Sequence, residues 1–192
     1  EKNELGGSTI YENNEFNKID NKAPSEWLKK EIEELKNIKN LEIKTRTSVA
    51  AYHQYNYLLA RENLTDHLEA KDKTNKIRQR LLKIRAKKVI LATGALERPL
   101  IFNNNDRPGI MLSSAIKKYS EFYGVACGSK NVFFTNNDSA YESAISLYNK
   151  GINVEAIIDI REQSESKIVK KVKEAGIKIY WSHSIVDTTG YK

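Results

Sequence analysis

Asn131-Val132-Phe133-Phe134-Thr135 is a short apolar run that turns through Asn136-Asn137-Asp138-Ser139 into Ala140-Tyr141-Glu142-Ser143-Ala144-Ile145. The run reads as a buried strand. Residues 139–150 read as a helix, with Ala140, Ala144, Ile145 and Tyr148 on its packed face. Gly151 ends that helix, because glycine accepts the left-handed conformation that closes a last turn. Residues 154–158 repeat the buried-strand pattern, 166–175 the helix, ended by Gly176, and 177–181 the strand. Three strands alternating with two helices predict an α/β fold whose parallel sheet is joined by right-handed crossovers.

Upstream the rhythm differs. Pro24-Ser25 opens a helix in which Trp27, Leu28, Ile32 and Leu35 recur at helical spacing. A short strand is expected at 41–45, paired strands at 48–63, a polar turn at 69–76 and a third strand at 78–84. Residues 87–92 read as a fourth strand, apolar and buried. Two prolines and a run of Asn make 98–109 a crossing segment, and 112–123 a helix. Its Tyr119, Phe122 and Tyr123 read as helix core or subunit contact. The first part shows no opening β-α unit, so its sheet is expected to keep an uncovered edge, with poor solubility or self-association.

Composition narrows the function classes. The 192 residues are 40% hydrophobic and 30% charged, as in globular proteins. No run approaches the ~20 apolar residues of a membrane span, and residues 1–20 lack the apolar segment of a signal peptide. The chain starts at Glu1 and its single methionine is Met111, so residue 1 is not expected to be the native N-terminus. One cysteine, Cys127, excludes an internal disulfide or a cysteine-clustered metal site, fits a reducing cytoplasm, and reads as an incidental small residue. The net charge of +7 is spread among many Glu residues. The densest basic run, 78–88, alternates with Leu81, Leu82, Ile84 and Ala86 as a strand with one solvated face does, so no nucleic acid is expected.

Three constellations could carry chemistry. Glu1 followed by Gly6-Gly7 fits the acid that binds a ribose hydroxyl pair, with glycines that let backbone approach a cofactor, and equally a surface Glu before a Gly-Gly turn. Val89-Ile90-Leu91-Ala92-Thr93-Gly94-Ala95 would place Thr93 and Gly94 at the carboxyl end of a strand, where parallel sheets bind ligands, or simply end a strand on a Thr-Gly turn. The turn at 135–140 stands where a second glycine-rich phosphate turn belongs, but Asn136 and Asp138 fill its first glycine positions. It therefore has the fold of a dinucleotide half without its ligand, and Asp138 reads as a helix N-cap. His53, Tyr55 and Tyr57 are expected to alternate on one strand face, with Asp66-His67 in a turn. Strand packing and a turn hydrogen bond explain these better than an acid–base pair does, and His183 has no assignable role. No metal-ligand spacing or nucleophilic triad is visible.

Taken in order, several segments closely resemble the alpha subunit of heterotetrameric sarcosine oxidase. They include Thr45-Arg46-Thr47-Ser48-Val49, Thr65-Asp66-His67-Leu68, Arg78-Gln79-Arg80-Leu81, Leu91-Ala92-Thr93-Gly94-Ala95-Leu96-Glu97-Arg98-Pro99-Leu100, Asn105-Asp106-Arg107-Pro108-Gly109, the turn from Thr135 to Tyr141, and Asp159-Ile160-Arg161. His53-Gln54 and Ser8 depart from the family pattern. The resemblance implies an incomplete FAD/NAD(P)-binding Rossmann-like fold of the two-dinucleotide-domain flavoprotein type: a parallel sheet with an antiparallel excursion. Residues 1–100 would be a partial first dinucleotide domain, 101–130 a crossing segment and helix, and 131–192 a partial second nucleotide-type domain. Glu1, Gly6, Gly7, Val49, Thr93 and Gly94 would line an NAD site, Val49 through its backbone near the adenine. The family further implies beta, gamma and delta partner subunits, FAD and FMN held mainly by beta, and a tetrahydrofolate domain outside this segment. The assembly would oxidise sarcosine to glycine, passing electrons to oxygen and the one-carbon unit to folate, and this segment would have no activity alone. The opine- or proline-oxidising alpha subunits and a non-catalytic assembly scaffold are the alternatives.

Overall fold

The computed structural model describes residues 2–12 and 18–190. The chain divides into two compact units, 1–94 and 95–192.

In the first unit, helix α1, Pro24–Lys36, starts with proline at its first position, where the missing N–H costs nothing. A 3₁₀ turn, Gly7–Ile10, packs against it. Strands β1 (Thr47–His53), β2 (Tyr57–Asn63) and β3 (Gln79–Arg85) form an antiparallel sheet in that order. The short helix α2, Ala70–Lys73, lies within the segment expected as a plain turn. The paired strands and the third strand thus stand as expected. His53, Tyr55 and Tyr57 do not share one strand: the chain reverses between His53 and Tyr57, and Tyr55 sits in the turn at φ 60°. Leu58 and Ala60 of β2 are buried apolar residues of this unit.

Two expected strands are corrected. Residues 41–45 and 87–92 have no strand partner among the described residues. The 87–92 run is also not buried: Ile90 is 90% and Leu91 70% exposed. A strand exists only as part of a ladder, and neither run meets one here. One backbone bond, Arg46 N–H to the Lys2 carbonyl at 2.8 Å, ties the end of the 41–45 run to the chain's start.

The second unit follows the expected rhythm. Helix α3 (Ser113–Phe122) precedes β4 (Asn131–Thr135), α4 (Ser139–Asn149), β5 (Val154–Asp159), α5 (Lys167–Glu174) and β6 (Lys178–Trp181). The three strands are parallel, in the order β4-β5-β6. Gly151 and Gly176 take positive φ after the two helices, as their positions require. Leu147, Ile157, Val169 and Val172 are fully buried, and each contributes about 1.5–3 kcal/mol of hydrophobic stabilisation. Tyr148, expected on the packed face of α4, is exposed; Tyr141 and Leu147 take that face instead. The segment before α3 lies along the unit's last residues through a parallel bridge, Asn103 to Asp187, and the Asn104 amide on the Asp187 carboxylate at 2.7 Å.

Candidate functional site

Gly6, Gly7, Val49, Thr93 and Gly94 lie on three separate segments of the first unit; Glu1 lies outside the described residues. Gly6 has φ 114°, and a Cβ there would fall inside Leu28 of α1. Its missing side chain serves packing of the turn on the helix. Gly7 (φ 60°) and Gly94 (φ 73°) are different: both need the left-handed backbone, and a Cβ at either would meet nothing within 4 Å. Backbone is therefore open to close approach at both.

Val49 is partly released from its ladder. It pairs with Ala60, while the next pair is Ala51 with Leu59, so Ala50 is an extra residue and β1 carries a bulge. Strand β1 is also the outer strand of its sheet. At this bulge Ala50 has no partner residue in the ladder. Next to the Gly6-Gly7 turn, a groove of about 520 Å³ is lined by Leu5, Ile10, Leu28, Ile32 and Ile43 together with polar residues that include Glu4, Lys29 and Lys36.

The second unit's strands end in a network that sequence reasoning missed. Asp159, at the carboxyl end of β5, has no exposed surface. The Tyr141 hydroxyl donates to its Oδ2 at 2.8 Å. Arg161 grips both oxygens, Nε on Oδ1 at 3.0 Å and Nη2 on Oδ2 at 2.7 Å, and its main-chain N–H adds a bond at 2.9 Å. Arg161 also pairs with Asp138, Nη1 to Oδ1 at 2.8 Å. The Tyr141 ring stacks on Trp181 at 6.2 Å. Burial pushes the Asp159 carboxyl up, but the Arg161 and Tyr141 hydrogen bonds outweigh it and hold the group below its ordinary 3.8. Burial and the adjacent Asp159 charge push the Tyr141 hydroxyl well above its ordinary value. Asp138 stands at the N-cap position of α4 but makes no capping bond. Asn137 caps instead, its Oδ1 accepting from Ser139 N–H at 2.9 Å and Ser139 Oγ–H at 2.6 Å. Neither Asn136 nor Asp138 takes positive φ. The turn is thus closed by its own side chains, with an acidic group held in place by arginine, which opposes a phosphate there.

The histidines form no acid–base pair with the expected carboxylate. Asp66 instead accepts from Arg78 Nε at 2.6 Å and Gln79 Nε2 at 2.9 Å, joining two of the quoted motifs. His53 packs against Tyr57, and His183 Nδ1 lies 2.6 Å from the Trp181 carbonyl oxygen. Glu97 of the Leu91–Leu100 motif binds the start of α3: it accepts from Ser113 N–H at 3.0 Å, Ser113 Oγ–H at 2.8 Å and Ser114 N–H at 2.7 Å. Cys127 is a free thiol. No group of His, Cys, Asp and Glu among the described residues could hold a metal ion, and no helix among them is long and apolar enough to cross a membrane.

No family model matches the chain. The sarcosine oxidase subunit alpha of Corynebacterium sp. (strain P-1) is 38% identical over 188 residues, 98% of this chain and 19% of that protein. The subunit of the same name from Corynebacterium sp. (strain U-96) is 35% identical over 188 residues, 98% of this chain and 19% of its own length. That of Rhizobium meliloti (strain 1021) is 34% identical over 166 residues, 83% of this chain and 17% of its own length. The chain is related in sequence to sarcosine oxidase alpha subunits. It spans 19% of the length of the first two of these relatives. In fold it resembles the crystal structure of L-proline dehydrogenase from P.horikoshii, with a TM-score of 0.61 over 86% of this chain and 31% of that one, at 24% identity. The resemblance read from the motifs thus holds along nearly the whole chain, and an α/β fold with one antiparallel and one parallel sheet stands.

Proposed function

We propose that this chain is the NAD-binding segment of an alpha subunit in an amine-oxidising complex, and that the amine is sarcosine. The observation that carries the reading is the 38% identity over 188 residues to a protein of that name. The fold would be the Rossmann-like two-dinucleotide type, with the first unit as the cofactor-binding half. Open left-handed backbone at Gly7 and Gly94 and the bulge beside Val49 fit a dinucleotide lying against main chain. On this reading Glu1 binds a ribose hydroxyl pair, Gly7 and Gly94 admit the cofactor backbone, Val49 meets the adenine through its main chain, and Thr93 flanks the site. Gly6 supports the turn by accepting Leu28. NAD when bound would supply a hydride-accepting group; the chain's own contribution is to bind and orient it.

The finer assembly follows from the same reading: beta, gamma and delta subunits as partners, FAD and FMN held mainly by beta, tetrahydrofolate bound outside this segment, and a cytoplasmic location. The complex would convert sarcosine, oxygen and tetrahydrofolate to glycine, hydrogen peroxide and 5,10-methylenetetrahydrofolate. For the second unit alone, the self-closed turn and the Asp138–Arg161–Asp159 network favour a scaffold role. The test is to purify the polypeptide carrying this chain with its partner subunits, release cofactors and assay sarcosine-dependent peroxide. NAD and flavins with turnover support the proposal. Cofactor without sarcosine turnover points to a sister amine substrate, and absence of any dinucleotide overturns it.

A further inference from the structure

Asn56 joins two of the segments assigned to the cofactor. It ends the turn between β1, which carries Val49, and β2. Its φ of 53° is left-handed, a conformation asparagine tolerates better than most side chains. The β2–β3 ladder stops at the pair Tyr57–Arg85. Beyond it, Asn56 holds the chain leaving β3. Its carbonyl accepts from Ala86 N–H at 3.1 Å, and its Nδ2 donates to the Lys87 carbonyl at 3.1 Å. The Tyr52 hydroxyl of β1 donates to Asn56 Oδ1 at 2.7 Å. The Lys87 carbonyl can only accept, so the amide nitrogen must face it and the amide oxygen must face Tyr52.

These bonds set the direction in which the chain departs toward Thr93 and Gly94. Lys87 stands six residues before Thr93, a reach of up to ~20 Å. Over that reach a change of about 10° in direction displaces Thr93 by up to ~3.5 Å, more than a hydrogen bond to a ligand tolerates. The side chain can be altered without breaking the turn. Aspartate keeps the left-handed conformation and the Tyr52 bond, but sets an acceptor against the Lys87 carbonyl. Glycine keeps the turn and removes both side-chain bonds.

We propose that Asn56 is a positioning residue of the NAD site. From the β1–β2 turn it aims the segment carrying Thr93 and Gly94, so that this segment and Val49 meet one cofactor. The proposal rests on the reading that NAD lies there.

The test uses the purified complex, native, Asn56→Asp and Asn56→Gly. Hydrogen exchange is read on peptides covering 47–63 and 87–94, and NAD binding by titration after the cofactor is stripped. Both variants are expected to exchange faster at 87–94, with 47–63 unchanged and flavin content native. NAD should bind about tenfold more weakly, the scale of one lost hydrogen bond. Unchanged exchange at 87–94 overturns the positioning role, whatever the complex binds. Faster exchange there with native NAD affinity overturns the link to the cofactor. Faster exchange over 47–63 in both variants makes Asn56 a turn residue alone, and overturns the proposal as well. A native complex without NAD overturns the cofactor reading and this proposal with it; exchange at 87–94 separates that failure from a failure of Asn56 to aim the segment.

Discussion

Arg161→Ala is expected to damage the second unit out of proportion to a half-exposed residue. The guanidinium makes three bonds to the fully buried Asp159, two of them shared by Nε, and one ion pair to Asp138. Removing one member of a buried pair leaves an uncompensated charge, typically a loss of about 3–5 kcal/mol. Here the Tyr141 hydroxyl and the main-chain N–H of residue 161 still reach Asp159, and the Arg161 side chain is partly solvated. The expected loss is therefore about 2–4 kcal/mol, discounted from that range. With a urea slope of about 2 kcal/mol per molar, the midpoint should move by roughly 1–2 M. Trp181 stacks on Tyr141 and reports the transition, with Trp27→Phe silencing the first unit's tryptophan. The pH dependence gives a second reading. In the native network Asp159 is held below its ordinary 3.8, so its contribution is present above that value and is lost as pH falls through the lowered one. Without the Arg161 side chain the leading cause that lowers the group is gone while burial still raises it, so the stability lost on acidification should be smaller in the variant. A midpoint shift below about 0.3 M, corresponding to under ~0.5 kcal/mol, with an unchanged pH profile would refute the account of this network.

Other outcomes follow from the same structure. Gly6→Ala should cost about 2–4 kcal/mol, since it adds a clash with Leu28 to backbone strain, while Gly7→Ala should cost about 1–2 kcal/mol from strain alone; Trp27 fluorescence in urea compares them. Glu97→Gln should weaken α3 by about 1 kcal/mol, because a charged cap at a helix start is replaced by a neutral one, and circular dichroism melts would show it. Burial raises the Glu97 carboxyl, but the Ser113 and Ser114 bonds outweigh it and leave it below its ordinary 4.5. The native protein should thus lose this contribution as pH falls below 4.5, and the variant should not.

The β4–β6 half was legible because its information is local. Each apolar run, each amphipathic helix and each closing glycine lies next in sequence to the element it contacts. The 87–92 run misled for the converse reason. Four apolar residues record a wish to be buried, whereas a strand needs a partner that sequence pattern alone does not supply. Tyr148 turns outward and Leu147 inward because tyrosine has a polar hydroxyl to keep in water and leucine has none. The Asp159–Arg161 pair carries a signal in sequence, because an acid and an arginine two apart at a strand end share a face. Asp138 was read as a cap from its position, and the distant Arg161 claimed it.

The central claim is tested most directly by the NAD content of the purified complex, native and Gly94→Val. The account predicts bound NAD in the native protein and its loss in the variant, with flavin content unchanged, because Gly94 opens backbone that only glycine leaves bare. Full NAD occupancy in Gly94→Val, or a native complex with flavins and no NAD, would contradict it.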